Sequence, residues 1–479
     1  MKDETRAEKL LDAFTDTEDE MMIAADPDKK PKKRPVPLWV KIGSAAAAVI
    51  AVGGITTAVL LNRSPAGMVQ PSTSEAEATT DSSAPERNIT AEVSQPESTL
   101  PQNTSVPDNN TSQPEQSQQG TLTADDNLPK ITAGLNYGAM GFEGIMVPDI
   151  SDYASGNPWL AEQNITVMPV YKNRVVKDQG LSVLTDIDSE ELVAEMKSVL
   201  VENAARLGIE LTEADIADDL PTPEQQEKMA EGYYAAWHKE PPKGYFTPYN
   251  VKYETEKYKI STDNNFCTTI EFIEPVSLPV DPNTTDISEA RKAAEYLTTE
   301  YAALLNMENP TIAIDGGDYS YSGERSRYEI SVYDAVGNIE QHIENYFMNY
   351  VRFYGDDNGD LFIIRILRTD LAGELVGNYP LLTAEEAEEM LKNGEYATSV
   401  PVSEGYKPES CGRVELVYRT GYSDEYFIPY YKFWVDVTDE IAAQGWSSGE
   451  VEKTYGAFYI PAVRPEYLED TPTYDGRFN

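Results

Sequence analysis

Apolar positions fall into three regimes along the chain. Near the start, Leu10, Phe14, Thr17 and Met21 recur at i, i+4, i+7 and i+11 within RAEKLLDAFTDTEDEMMIAAD, which predicts an amphipathic helix with an acidic back. From Ile42 to Leu61, IGSAAAAVIAVGGITTAVLL runs without a charge. At about 1.5 Å per residue, a helix of that length spans the ~30 Å hydrocarbon core of a bilayer. From Ser64 to about Asn127 the chain is Ser, Thr, Pro, Gln, Asn and Glu, which cannot bury enough surface to offset ordering entropy and reads as a disordered tether.

Periodicity returns near Leu128 and mixes helical and alternating stretches. SEELVAEMKSVLVENAARLGI aligns Leu192, Met196, Leu200 and Ala204 on one helix face, and ISEARKAAEYLTTEYAALLNM aligns Ala293, Leu297, Tyr301 and Leu305. LTAEEAEEMLKNG predicts a further helix. Alternation predicts strands in YNVKYETEKYKIST, NFCTTIEFIEPVSL, YEISVYDAV, NYFMNYVRFY, LFIIRILR, GRVELVYRTG, EYFIPYYKFWVDV and KTYGAFYIPAV. A helix followed by an antiparallel strand group recurs three times with hairpin-length connections. The expected fold is therefore α+β, with repeated helix plus antiparallel-sheet units in a bilobed exported domain, preceded by one transmembrane helix and a disordered linker. The expected layout is a cytoplasmic segment over 1–37, a membrane span over 38–62, a linker over 63–127, and lobes over 128–284 and 285–479.

Charge sets the orientation. Lys29, Lys30, Lys32, Lys33, Arg34 and Lys41 precede the apolar run, while only Arg63 follows it closely, so the N-terminus stays cytoplasmic and the bulk is exported. A cleaved signal peptide is the alternative. Against it stand an apolar run longer than the usual 7–15 residues and the long segment before it. The net charge of −44 argues against nucleic acid as a partner, because phosphates would be repelled.

Candidate chemistry is sparse. Cys267 and Cys411 are the two cysteines, either a distant pair or two free thiols. His238 and His342 have no cysteine or second histidine near them in sequence, so both read as surface residues, and no cofactor or metal site is expected. GDDNGD begins like a calcium loop but lacks the twelfth-position Glu, so a hairpin turn with Gly359 left-handed accounts for it better. No P-loop, nucleophile elbow or Gly-x-Gly-x-x-Gly follows a strand, and no catalytic residue is assigned. Aromatic residues do stand out. Tyr430, Tyr431 and Trp434 in YFIPYYKFWVDV are candidate partner-binding residues if one subset faces outward, as are Leu10, Phe14 and Met21 on the N-terminal stripe. Cross-strand packing and a solvated arm, respectively, are the structural alternatives.

The run GNYPLLTAEEAEEMLKNGEYATS, with VELVYRTG, FIPYYKFWVDV and YGAFYIPAV, resembles the α+β units of the YycH/YycI type. Those are single-pass, N-in proteins of Gram-positive bacteria whose exported lobes regulate a membrane sensor kinase. The segment EKLLDAFTDTEDEMMIAAD is similar to the cytoplasmic pieces of membrane-anchored, anti-sigma-like proteins, without their zinc-binding His and Cys. Together these imply a non-enzymatic, extracytoplasmic regulatory or binding protein with a protein partner. A cell-envelope scaffold, with wall glycan as a possible ligand, is the alternative.

Overall fold

The computed structural model describes residues 122–133, 143–178, 181–320, 322–443 and 453–470. The expectations for residues 1–37 and 38–62, for the linker up to residue 121, and for Leu10, Phe14 and Met21 lie outside the described residues. Among those described, no helix is long and apolar enough to cross a membrane.

In chain order, β1 (Ile131–Thr132), β2 (Gly144–Met146) and β3 (Val167–Asn173) precede helix α1 (Ser189–Arg206). Next come β4 (Ala217–Asp218), α2 (Pro223–Trp237), β5 (Asn250–Glu254), β6 (Tyr258–Asp263) and β7 (Thr268–Val276). The middle of the chain forms α3 (Ile287–Glu300), α4 (Ala302–Leu305), β8 (Pro310–Asp315), β9 (Glu329–Asp334), α5 (Ile339–Met348), β10 (Asn349–Gly355) and β11 (Leu361–Arg368). The last part contains β12 (Gly373–Pro380), α6 (Ala384–Asn393), β13 (Ala397–Thr398), β14 (Arg413–Arg419), β15 (Tyr426–Asp436), α7 (Thr438–Ala443), β16 (Thr454–Pro461) and β17 (Leu468–Asp470).

The α+β expectation holds. One sheet runs β4-β5-β6-β7-β11-β10-β9-β8; the other runs β12-β3-β15-β16-β13, with β14 added on β15 and β2 on β16. Among the described residues every pairing in both is antiparallel, and only the short β1–β17 pair is parallel. The strand groups that follow α1 and α3 merge into the eight-stranded sheet, which therefore draws on both sides of residue 285. The third group is completed by β2 and β3 from the start of the domain. Both sheets belong to one compact unit.

Local sequence explains the helices. Leu192, Met196, Leu200 and Ala204 are all buried, and α1 lays them on β5 and β6, each large side chain contributing about 1.5–3 kcal/mol. The Asp286 carboxylate accepts the Ser288 and Glu289 N–H groups at the start of α3, whose buried Ala290, Ala293 and Ala294 let it lie close on β8 and β9. The expected single helix breaks at Tyr301, with α4 ending on Asn306 at φ 48°. The NYFM stretch, expected as strand, is instead the end of α5. An Asn338–Gln341 capping box starts that helix, and α5 touches β9 and β10 of one sheet and β14 of the other. GDDNGD is the β10–β11 turn, with Gly359 at φ 81°.

A strap crosses between the sheets. After β2 pairs with β16, Ala154 bridges Gly316 beside β8, and the Gly156 N–H donates to Asp315 Oδ1 at 2.7 Å. A Cβ on Gly156 would lie 2.4 Å from the Ala313 Cβ, so glycine lets the strap lie against β8. The chain then returns to the other sheet, where Asn157 Nδ2 donates to the Leu416 carbonyl and Trp159 meets Tyr431 edge-on at 6.0 Å.

Candidate functional site

Strand alternation gives the β14-β15-β16 region two unlike faces. Leu416, Tyr431, Phe433, Phe458 and Ile460 point to one side and are buried in the core. On the other side, Arg413 is paired with Trp434, Glu415 with Lys432, and Lys432 with Tyr459. Arg419 shares that second face.

Beside this polar face lies a cleft of about 280 Å³, lined by Phe347 of α5, Val417, Tyr418, Arg419 and Thr420 of β14 and its end, Lys432, Tyr459, and Glu143 just before β2. The Lys432 ammonium donates to Glu143 Oε1 at 2.6 Å, the Tyr459 hydroxyl donates to the same oxygen, and the Arg419 guanidinium lies 4.0 Å from Glu143 Oε2. Lys432 also stands 4.2 Å from the Trp434 ring centre, and Arg419 stands 4.8 Å from that of Tyr459. Next to them, Glu415 accepts from Arg413 at 2.6 Å and from the Trp434 indole at 3.1 Å.

The cluster holds its charges fixed. Burial alone would raise the Glu143 pKa, but Lys432 and Arg419, with the hydrogen bonds from Lys432 and Tyr459, keep it below the usual carboxylate value. Burial would lower the Lys432 pKa, and Glu143, Tyr459 and Glu415 outweigh it and raise it. Burial and Glu143 push the Tyr459 hydroxyl up. All three shifts lead away from neutrality, the reverse of what a general acid or base at pH 7 requires. The arrangement suits holding and orienting a charged group.

A second polar centre joins α5 to the eight-stranded sheet. The Tyr346 hydroxyl donates to Asp315 Oδ1 at 2.7 Å, the oxygen that also receives the Gly156 N–H, and burial raises the Asp315 pKa. From the other sheet, the Tyr171 hydroxyl donates to Glu344 of α5 at 2.7 Å.

The aromatic candidates sit elsewhere than expected. Tyr430, Tyr431 and Trp434 are each 3% exposed, because β15 is an inner strand with both faces covered. Their polar atoms are used internally: the Tyr431 hydroxyl donates to the Leu382 carbonyl and the Trp434 indole to Glu415. His238 is exposed, as expected, and closes α2 at φ 54°. His342 differs from the expected surface residue: it is half-buried on α5 with its Nε2 shielded from solvent. Cys267 is buried, Cys411 is half-buried, and both are free thiols. Among the described residues, no three His, Cys, Asp or Glu side chains converge as a metal site would.

Glu143 and Arg419 were not singled out from sequence, whereas Tyr459 stood among the aromatics of YGAFYIPAV. Lys432 carried a signal, as the lone cation in PYYKFW sharing a strand face with Tyr430 and Trp434. No protein-family model matches this chain, and no curated protein matches it.

Proposed function

We propose that this chain is a single-pass, membrane-anchored extracytoplasmic binding protein without catalytic activity, which modulates a signalling protein such as a sensor kinase or sigma factor. The observation that carries the binding reading is the cleft in which the Lys432 ammonium donates to Glu143 at 2.6 Å with Arg419 4.0 Å from the same carboxylate, an arrangement that favours the ionised form of both partners. The uncharged Ile42–Leu61 segment and its lysine-rich flank support the anchor, and the polar 63–127 stretch supports a tether that sets the reach of the domain. The likeness to YycH/YycI-type regulators and to zinc-less anti-sigma proteins supports the signalling role.

A specific feature favours the second reading, an envelope scaffold that contacts protein or wall glycan. Helix α2 buries only Tyr233 and leaves Tyr234 51% and Trp237 66% exposed, a rigid aromatic surface of the kind enriched at contact sites.

Protease added to intact cells should remove the acidic domain and spare an N-terminal fragment; a fully protected chain refutes the orientation. Deleting residues 1–26 should change a transcriptional output, and an unchanged profile together with crosslinks confined to envelope proteins selects the scaffold.

A further inference from the structure

We propose that the cleft beside β14 and β15 receives a small zwitterion, a free amino acid or a dipeptide, with its carboxylate on Lys432 and Arg419 and its ammonium on Glu143. This rests on reading the domain as a binding module and names the ligand class of that same cleft.

The charges themselves select the ligand. Glu143 and Lys432 already pair at 2.6 Å, so a lone anion taking Lys432 would leave the carboxylate only the Tyr459 hydroxyl and Arg419 at 4.0 Å, and a lone cation taking Glu143 would leave the ammonium over the Trp434 ring without its carboxylate. An unpaired, half-buried charge is costly. A molecule carrying both charges enters between the two groups and satisfies each, with no change in the net charge of the site. Arg419, 4.0 Å from Glu143 Oε2, adds a second positive charge on the same side of the cleft.

The surroundings agree. Glu415 is committed to Arg413 and the Trp434 indole, so it does not compete for the ligand's ammonium. Phe347 and Val417 form an apolar wall suited to a side chain. The volume of about 280 Å³ falls below the ~300–1,000 Å³ of pockets for drug-sized ligands, which fits one or two residues. A purely structural cluster would gain as much from apolar side chains of equal volume, at lower desolvation cost.

The test is isothermal titration of the purified full-length chain in mild detergent with free amino acids and dipeptides, each also supplied N-acetylated and C-amidated. At least one zwitterion should bind, and blocking either terminus should weaken it by roughly tenfold or more. A preference for free amino acids or for dipeptides identifies which source the cleft takes. Thr420→Trp, which fills the cleft and leaves the ion pair in place, should abolish binding even if Glu143→Gln or Lys432→Met does not fold. The proposal is overturned if no zwitterion binds at about 10 mM, if blocked derivatives bind as well as the parent compounds, or if Thr420→Trp binds unchanged. Protease shaving of cells reports separately on the anchored reading: a silent titration with a shaved domain removes only the ligand assignment.

Discussion

The Lys432 ammonium and the Glu143 carboxylate meet at 2.6 Å although 289 residues separate them in the chain. One comes from the inner strand of a sheet, the other from the residue just before β2, the strand that leads into the strap between that sheet and its neighbour.

Removing one member of this pair leaves the other unmatched. A fully buried pair loses about 3–5 kcal/mol in that way; with the Glu143 side chain 32% exposed, solvent screening reduces the expected loss for Glu143→Gln to about 2 kcal/mol. The Glu143 pKa is lowered in the folded state, so its stabilisation is complete above the unfolded value of 4.5 and disappears as pH falls through the folded one. Urea melts of parent and Glu143→Gln should thus differ by a constant amount through neutral pH and converge only in acid. The double variant Glu143→Leu, Lys432→Met should lose less than the two single losses combined.

Asp315 should behave in the opposite sense. Its pKa is raised by burial, and Glu329 adds to the rise, while the Gly156 N–H, the Tyr346 hydroxyl and Arg352 oppose it. Its protonation therefore stabilises the fold progressively as pH drops through the folded pKa toward 3.8. Asp315→Asn keeps an oxygen for both donors and carries no charge. Its advantage over the parent should be largest at neutral pH and shrink on acidification, as read from denaturant melts between about pH 4 and pH 7.

Gly156→Ala places a methyl 2.7 Å from the Ala313 Cα, and overpacking of this kind costs about 1–3 kcal/mol. Hydrogen exchange should speed up at the Ala154 and Gly316 amides, which bond across the strap, before it does so in β10 and β11.

Tyr431 separates packing from hydrogen bonding. Tyr431→Phe keeps the ring against Trp159 but removes the donor to the Leu382 carbonyl, for about 1 kcal/mol. Tyr431→Ala should cost about 3–5 kcal/mol, as truncation of a buried aromatic does. Equal melting of both variants and the parent would refute the interior role of this residue.

Thiol reactivity offers an independent check of the core. Burial pushes the Cys267 thiol up to about 12, with Asp263 adding to the rise, so the thiol form dominates at pH 8. A disulfide reagent should modify Cys411 in the native chain and Cys267 only after denaturation.

The helices that could be read from sequence are those whose buried stripe is regular: Leu192, Met196, Leu200 and Ala204 are spaced as they pack. Helix α2 was missed although Thr222, Pro223 and Gln225 spell a start signal, because only Tyr233 turns inward and no stripe remains to be seen. The end of α5 was misread because Asn345 to Met348 includes two adjacent aromatics typical of strands, and packing between both sheets overrides that preference. Alternation in β15 predicts two subsets of side chains, yet the candidates mix them, Tyr430 and Trp434 lying on one face and Tyr431 on the other, and alternation carries no information on whether either face meets solvent. The cleft was the least visible feature, since Glu143 is one carboxylate among many and its partners lie hundreds of residues downstream.

Strand β3 has consequences for the timing of folding. Both of its neighbours, β12 and β15, are made about two hundred residues or more after it, so its ladder stays open until most of the chain has been synthesised. Pairings of such high contact order form slowly, on the order of milliseconds to seconds. A chain shortened before β15 would leave β3 with one open edge and β2 without β16, both prone to aggregate, so C-terminal truncations should be lost to misfolding before any question of activity arises.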